Sequence, residues 1–185
     1  MYIQQFFVKK LAHLSYLLGG QNTCAIIDPA RDVQMYLDAA KDMGMKITHI
    51  LETHPHADFN SGHLELAELT GAKIYGGKKS NYQFDHIGLA EGDSIQVEDL
   101  DIQILDTPGH TPDHISFVVV DKARGEDPVC IFSGDLLFVG DVGRPDLFGG
   151  KKGELSPAEL APQLFDTLHN KVLKLPETCE IYPAH

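Results

Sequence analysis

Apolar and polar residues alternate in short runs through the first thirty positions. YIQQFFV (2–8), LSYLL (14–18) and TCAIID (23–28) predict three strands. The period then lengthens. In DVQMYLDAAKDMG (32–44), Val33, Tyr36, Leu37 and Ala40 recur at helical spacing, with Asp32 placed as the N-cap and Gly44 as the stop. KITHILET (46–53) predicts a buried strand, HLELAELTG (63–71) a helix ended by Gly71, and KIYG (73–76) another strand.

The second half repeats the scheme. DSIQVEDLDIQILDTPG (93–109) predicts a hairpin turning at Asp99-Leu100. HISFVVVD (114–121) and PVCIFSGD (128–135) are strands joined by the charged turn KARGED (122–127). SPAELAPQLFDTLHNKVLKL (156–175) opens with Ser156, Pro157 and Glu159, a capping box with proline at the first helical position. Pro162 sits one turn further in, and Leu160, Leu164 and Leu168 line one face. CEIYPAH (179–185) closes as a strand. Two β-rich, helix-terminated halves predict two sheets packed face to face with helices outside, a four-layer α/β plan. No linker or low-complexity tract divides residues 1–185, so one domain is expected.

Composition narrows the function. The chain has 185 residues, 43% hydrophobic and 23% charged, with a formal net charge of −12. No run of Lys or Arg forms a phosphate-binding stripe, which argues against nucleic acid. Lys9-Lys10, Lys78-Lys79 and Lys151-Lys152 read as solvated faces. Cys24, Cys130 and Cys179 are far apart and odd in number, which fits reduced thiols in a cytoplasmic protein. No apolar stretch is long enough to span a membrane, and the N-terminus lacks a secretory pattern.

Four of the ten histidines lie just past predicted strand ends: His54 and His56 after ITHILET, His110 after IQILDTPG, and His185 after EIYP. Asp135, after VCIFSG, occupies the same kind of place. Loops at strand ends are where a rigid scaffold aims chemical groups. Alternate residues of an extended segment point one way, so His54, His56 and Asp58 can converge. Gly109 and Gly134 allow sharp turns that aim His110 and Asp135. Imidazole and carboxylate together suit Zn(II) or Fe(II). His13, His49, His63, His86, His114 and His169 read as ordinary polar residues, with His114 in the same loop as His110.

THPHADF, TPGHTPDH, FSGD and YPAH, in that order, resemble the motifs of the metallo-β-lactamase fold superfamily over nearly the whole chain. Within it the chain resembles the persulfide dioxygenases, including bacterial forms fused to rhodanese domains, and more distantly glyoxalase II. The resemblance implies an αββα sandwich with the metal site at one edge of the sheets. Two-metal members carry a histidine directly after the motif aspartate, where this chain has Phe59. A phenyl ring cannot serve as a ligand, and a second metal would keep only Asp58, Asp135 and His185. One metal per chain is therefore expected.

The resemblance to persulfide dioxygenases places Fe(II) on His54, His110 and Asp135, a 2-His-1-carboxylate triad with positions open for a substrate sulfur and O₂. His56 and Asp58 would then act behind the ligands, orienting them or holding water. The rival is zinc on His54, His56, His110 and perhaps Asp135, activating one water. The sequence alone does not rank His56 as inner or outer. Gly143, Arg144 and Asp146 match the G-R-x-D element of persulfide dioxygenases, and Arg144 is the expected grip on the carboxylate of a thiol carrier. The alternative is a structural salt bridge to Asp146 or Asp141. Three functions follow: oxidation of a thiol persulfide such as glutathione persulfide, glyoxalase II-like thioester hydrolysis, or a non-catalytic metal-binding module. Relatives continue beyond the motif of His185, so a shortened chain or fragment is expected, with rhodanese domains in the full-length protein.

Overall fold

The computed structural model describes residues 1–148 and 155–185, so Lys151-Lys152 lies outside the described residues. Eleven strands and three α-helices form among them. The first half supplies β1 (Tyr2–Val8), β2 (His13–Gly19), β3 (Thr23–Ile27), β4 (Lys46–Leu51), β5 (Lys73–Gly77) and β6 (Ile87–Leu89), which form one sheet in that order. The second half supplies β7 (Ser94–Val97), β8 (Leu100–Asp106), β9 (Ile115–Asp121), β10 (Pro128–Gly134) and β11 (Glu180–Pro183), ordered β11-β10-β9-β8-β7. β1 to β3 are antiparallel, β3 to β6 parallel, and β11 runs parallel to β10.

The strand period of two explains the layering. Tyr16, Leu18, Ala25, Ile27 and Leu51 meet Ile102, Ile104, Phe117 and Phe132 in a core between the sheets. The opposite faces of the same strands, with Leu17, Cys24, Ile26, Ile47 and Ile50, pack against Tyr36, Ala39, Ala40 and Leu66. Those residues come from α1 (Gln34–Asp42) and α2 (His63–Thr70). Val118 and Ile131 pack outward on Leu164 of α3 (Pro157–Asn170). A strand buried on both faces reads as a continuous apolar run, which is why β9 lacks alternation. The predicted αββα sandwich is the observed fold. No helix among the described residues is long and apolar enough to cross a membrane.

Local chemistry follows the sequence with three differences. The capping box of Ser156 and Glu159 is formed. The N-cap of α1 is Val33, and Asp32 instead accepts the Gln34 N–H through its side chain at 3.2 Å. The second-half hairpin turns one residue earlier than predicted, because Val97 pairs with Leu100 and leaves Glu98-Asp99 in the turn. Glu98 takes φ 54°, which lets its carboxylate accept the N–H groups of Asn22 and Thr23 at 2.8 and 2.7 Å. It thus closes the β2–β3 turn from the other sheet. β6 was not predicted; its three residues pair with β5 at the sheet edge.

Candidate metal centre

The C-terminal ends of β3, β4, β8, β10 and β11 gather at one edge of the sandwich. The Ile115 N–H donates to the Thr53 carbonyl at 2.9 Å, and the Ala184 N–H to the Gly134 carbonyl at 3.0 Å. The loops that carry the predicted ligands are therefore tied to one another across the two sheets.

His54 is 2% exposed and sits on an anchored turn. Thr53 donates its N–H to Asp28 Oδ1 at 2.8 Å and its hydroxyl to Asp28 Oδ2 at 2.9 Å. With its one proton so placed, the hydroxyl oxygen accepts from His54 Nδ1 at 3.0 Å. Nδ1 carries the ring proton and the Nε2 lone pair is left for a ligand. Burial drives His54 well below the ordinary imidazole value, and the neighbouring His56 and His114 lower it further. His110 is fixed the same way: Nδ1 donates to the Arg144 carbonyl at 3.0 Å, leaving Nε2 free.

Asp135 completes the set. Its Oδ2 lies 3.8 Å from His54 Nε2 and 3.7 Å from His110 Nε2. One ligand atom from each of the three residues falls within 4.8 Å of the other two. Donors on a metal with bonds near 2.1 Å are about 3–3.5 Å apart, so the two separations from Asp135 would close by a few tenths of an ångström. Two neutral imidazoles and a carboxylate fit a divalent metal of intermediate hardness such as Fe(II) or Zn(II). Gly109 and Gly134, which precede His110 and Asp135, have φ of 153° and 52°. A Cβ on Gly143 would lie 2.0 Å from the Asp135 carbonyl, so only glycine lets the following loop pass this close.

The remaining predicted residues form a second, differently arranged side. His56 Nε2 lies 3.3 Å from Asp28 Oδ1, an ion contact rather than a well-directed hydrogen bond, and its Nδ1 is 4.0 Å from Asp58 Oδ1. Burial opposes a charge on His56, but Asp28 outweighs it and raises the ring to about 9. His56 groups with Asp28 and Glu52, not with the His54 set. His185 presents Nδ1 to Asp135 Oδ1 at 2.7 Å and Nε2 to Asp58 Oδ2 at 3.0 Å. Both partners are carboxylates, so the doubly protonated ring satisfies both contacts at once. Burial lowers His185, and the bond and charge of Asp135 overcome that and raise it.

Phe59 fills the space between. Its ring centroid lies 4.0 Å from His13 and 4.5 Å from His56. His13 is fully buried, its ring nitrogens have no protein partner, and burial lowers it to about 4. From the sequence alone His13 and His114 read as ordinary polar residues. His114 is instead 1% exposed, and its Nε2 accepts the Asp135 N–H at 3.1 Å. A histidine opening a strand beside the His110 loop was the available clue to it; nothing local in the sequence marks His13.

A cavity of about 650 Å³ opens over the triad, lined by Asp58, Lys79, Phe138, Arg144, Phe148 and His185 among others. Arg144 is on its wall. Its guanidinium forks onto Asp146, with Nε–Oδ1 at 3.0 Å and a second contact from its terminal nitrogen. The salt bridge weighed from the sequence is thus formed, and Asp141 takes no part in it.

The sequence profile of the metallo-β-lactamase superfamily matches residues 8–185. The chain belongs to this superfamily. This metallo-β-lactamase-fold chain is 33% identical to the mitochondrial persulfide dioxygenase ETHE1 of Mus musculus over 192 residues, 99% of this chain and 67% of that protein. It is 36% identical to the hydroxyacylglutathione hydrolase of Pseudomonas putida strain W619 over 164 residues, 88% of this chain and 56% of the hydrolase. A crystal structure of a metallo-β-lactamase from Staphylococcus aureus superposes with a TM-score of 0.93 at 38% identity, covering 100% of this chain and 56% of that one. ETHE1 from Myxococcus xanthus gives 0.86 at 29% identity, covering 100% and 76%. The chain therefore spans between 56% and 76% of the length of these four relatives. Superfamily membership and its named relatives make this a metal-dependent enzyme domain.

Proposed function

We propose that this domain is a mononuclear Fe(II) persulfide dioxygenase, with His54, His110 and Asp135 holding one iron per chain. The observation that carries the reading is the asymmetry of the pocket. Three donors converge with their outer atoms fixed, while Phe59 and His13 fill the neighbouring space and His185 bridges Asp58 to Asp135. Likeness to two ETHE1 proteins supports it. Iron(II) in such a triad supplies redox activation of O₂. The balanced change is persulfide plus O₂ plus water giving thiol, sulfite and two protons.

The chain's own residues have separate tasks. Thr53 and the Arg144 carbonyl hold the two imidazoles in the tautomer that presents Nε2. His56 and Asp58 orient the pocket from behind, and the His185 ring donates one N–H to each of Asp135 and Asp58. Arg144 stands at the wall where a thiol carrier's carboxylate would enter, its partner Asp146 yielding one fork of the guanidinium to it. Phe138 and Phe148 cover the carrier's apolar part and exclude water. The small-molecule partners in this reading are a thiol persulfide and O₂, with rhodanese domains in a longer protein as the source of sulfur.

A second reading is zinc-dependent thioester hydrolysis, favoured by the 36% identity to a hydroxyacylglutathione hydrolase. One experiment separates them. Iron-loaded protein is given glutathione persulfide in an oxygen electrode, and S-lactoylglutathione in the absence of oxygen. Oxygen uptake with stoichiometric sulfite is expected. Thioester hydrolysis without oxygen uptake would reverse the assignment.

A further inference from the structure

His114 takes no part in the ligand set, yet it touches two of its members. Its Nε2 accepts the backbone N–H of Asp135 at 3.1 Å, and its ring packs on His54 with centroids 4.9 Å apart and planes tilted by 31°. The amide can only donate, so Nε2 is the acceptor and the ring proton must be on Nδ1. That proton goes to Thr107 Oγ1 at 2.8 Å. The Thr107 hydroxyl lies 2.9 Å from Ser116 Oγ, and the Thr107 N–H donates to the His114 carbonyl at 2.9 Å. Thr107, His114 and Ser116 are all buried. Every link of the chain from Ser116 to Asp135 is inside the protein; the two links at the His114 ring have a defined direction, and in the Thr107–Ser116 pair either hydroxyl can donate.

The turn that carries Asp135 is shaped to receive this ring. Gly134 sits at φ 52°, and a Cβ there would lie 2.5 Å from His114 Nε2 and 2.7 Å from Thr53 Oγ1. The imidazole that holds Asp135 and the hydroxyl that holds His54 thus press on the same glycine. We infer that His114 is a positioning residue that fixes the Asp135 carboxylate relative to the His54 ring, through a Ser116–Thr107–His114 hydrogen-bond chain ending on the Asp135 amide. It sets the geometry of the metal centre without touching the metal. The inference rests on the ligand set proposed above, but not on which reaction that centre performs.

Outer partners of metal ligands are worth about 10- to 100-fold in metal affinity. The test is Co(II) binding to the metal-free chain, read by the visible absorption of the bound ion and by competition with a chelator. His114→Leu keeps the bulk and removes the acceptor. His114→Gln can return an oxygen to the position of Nε2. His114→Leu is expected to weaken Co(II) by about 10-fold or more and to change its absorption bands, with His114→Gln restoring most of both. Thr107→Val, which leaves the ring proton without its acceptor, is expected to act in the same direction, and Thr107→Ser to restore binding. Unchanged affinity and unchanged bands in folded His114→Leu overturn the inference. Should that variant fail to fold, unchanged affinity and bands in Thr107→Val do so instead. Asp135→Ala is the control: undiminished Co(II) binding by it would instead refute the ligand set.

Discussion

The two sides of the pocket share one residue and behave differently. On one side each imidazole has its Nδ1 tied to an oxygen, and Nε2 of His54 and His110 faces Asp135 Oδ2. On the other, Asp135 Oδ1 and Asp58 are engaged by the His185 ring, and Phe59 and His13 occupy the space beside them. The contrast teaches that donor-type residues do not make a site by proximity. What matters is whether their lone pairs are held open or already engaged.

Breaking the first side should have the largest effect. Asp135→Ala should lose stoichiometric metal and, with it, persulfide-dependent oxygen uptake, whereas Asp58→Ala should keep its metal; elemental analysis of the two purified proteins makes the comparison. Equal metal loss in both would erase the distinction between the sides. Next is Gly143→Ala. Its new Cβ would meet the Asp135 carbonyl at 2.0 Å, so the turn must move. A loss of about 2 kcal/mol in stability and weaker metal binding are expected, read by denaturant unfolding and chelator competition. A native-like denaturation curve would mean that the two loops are not locked together.

The second side can be sharpened by giving it back a nitrogen. Phe59→His should raise the metal content above one ion per chain, while Phe59→Leu should not, as measured on protein reconstituted with excess metal. A second ion that fails to bind Phe59→His would assign the barrier to the His185 bridge instead of the phenyl ring.

The smallest effect is on pH dependence, to which the buried histidines around the pocket contribute limbs of opposite sign. Burial holds His13 at about 4 and His114 at about 3, below the ordinary 6.5. Between 6.5 and those values the unfolded chain binds more protons than the native one. Stability of the metal-free chain should therefore fall as pH drops through that window. His56, raised to about 9 against its burial by Asp28, works the other way: its contribution is complete below 6.5 and is lost as pH rises towards 9. In melts across pH, His13→Leu should flatten the acid limb and His56→Asn the alkaline one. Limbs that persist in these variants would locate the titration elsewhere.

Much of this was legible in the sequence because it depends on local period. Strands buried on both faces and the capping box at Ser156 declare themselves within a few residues. So did the candidate positions His54, His56, His110, Asp135 and His185, each just past a strand end, whereas the choice of His54, His110 and Asp135 as the ligand set came from the resemblance. What was not legible depends on partners far along the chain. The turn at Glu98 is set by an appointment with residues 22 and 23. The role of His114 appears only when the Asp135 amide arrives on its ring, and that of His13 only when Phe59 stacks upon it. β6 was too short to show a period, and its pairing with β5 decides it. The sequence left His56 open between ligand and outer partner. The structure places it against Asp28, a buried carboxylate from the loop after β3, and against Glu52 of its own loop.

The most direct test is the metal count of the chain after anaerobic reconstitution with excess Fe(II), taken with the electron paramagnetic resonance of its nitric oxide adduct. One iron per chain, with the signal of an isolated Fe(II)–nitrosyl centre, is predicted. Two irons per chain, coupled so that this signal is lost, would contradict it.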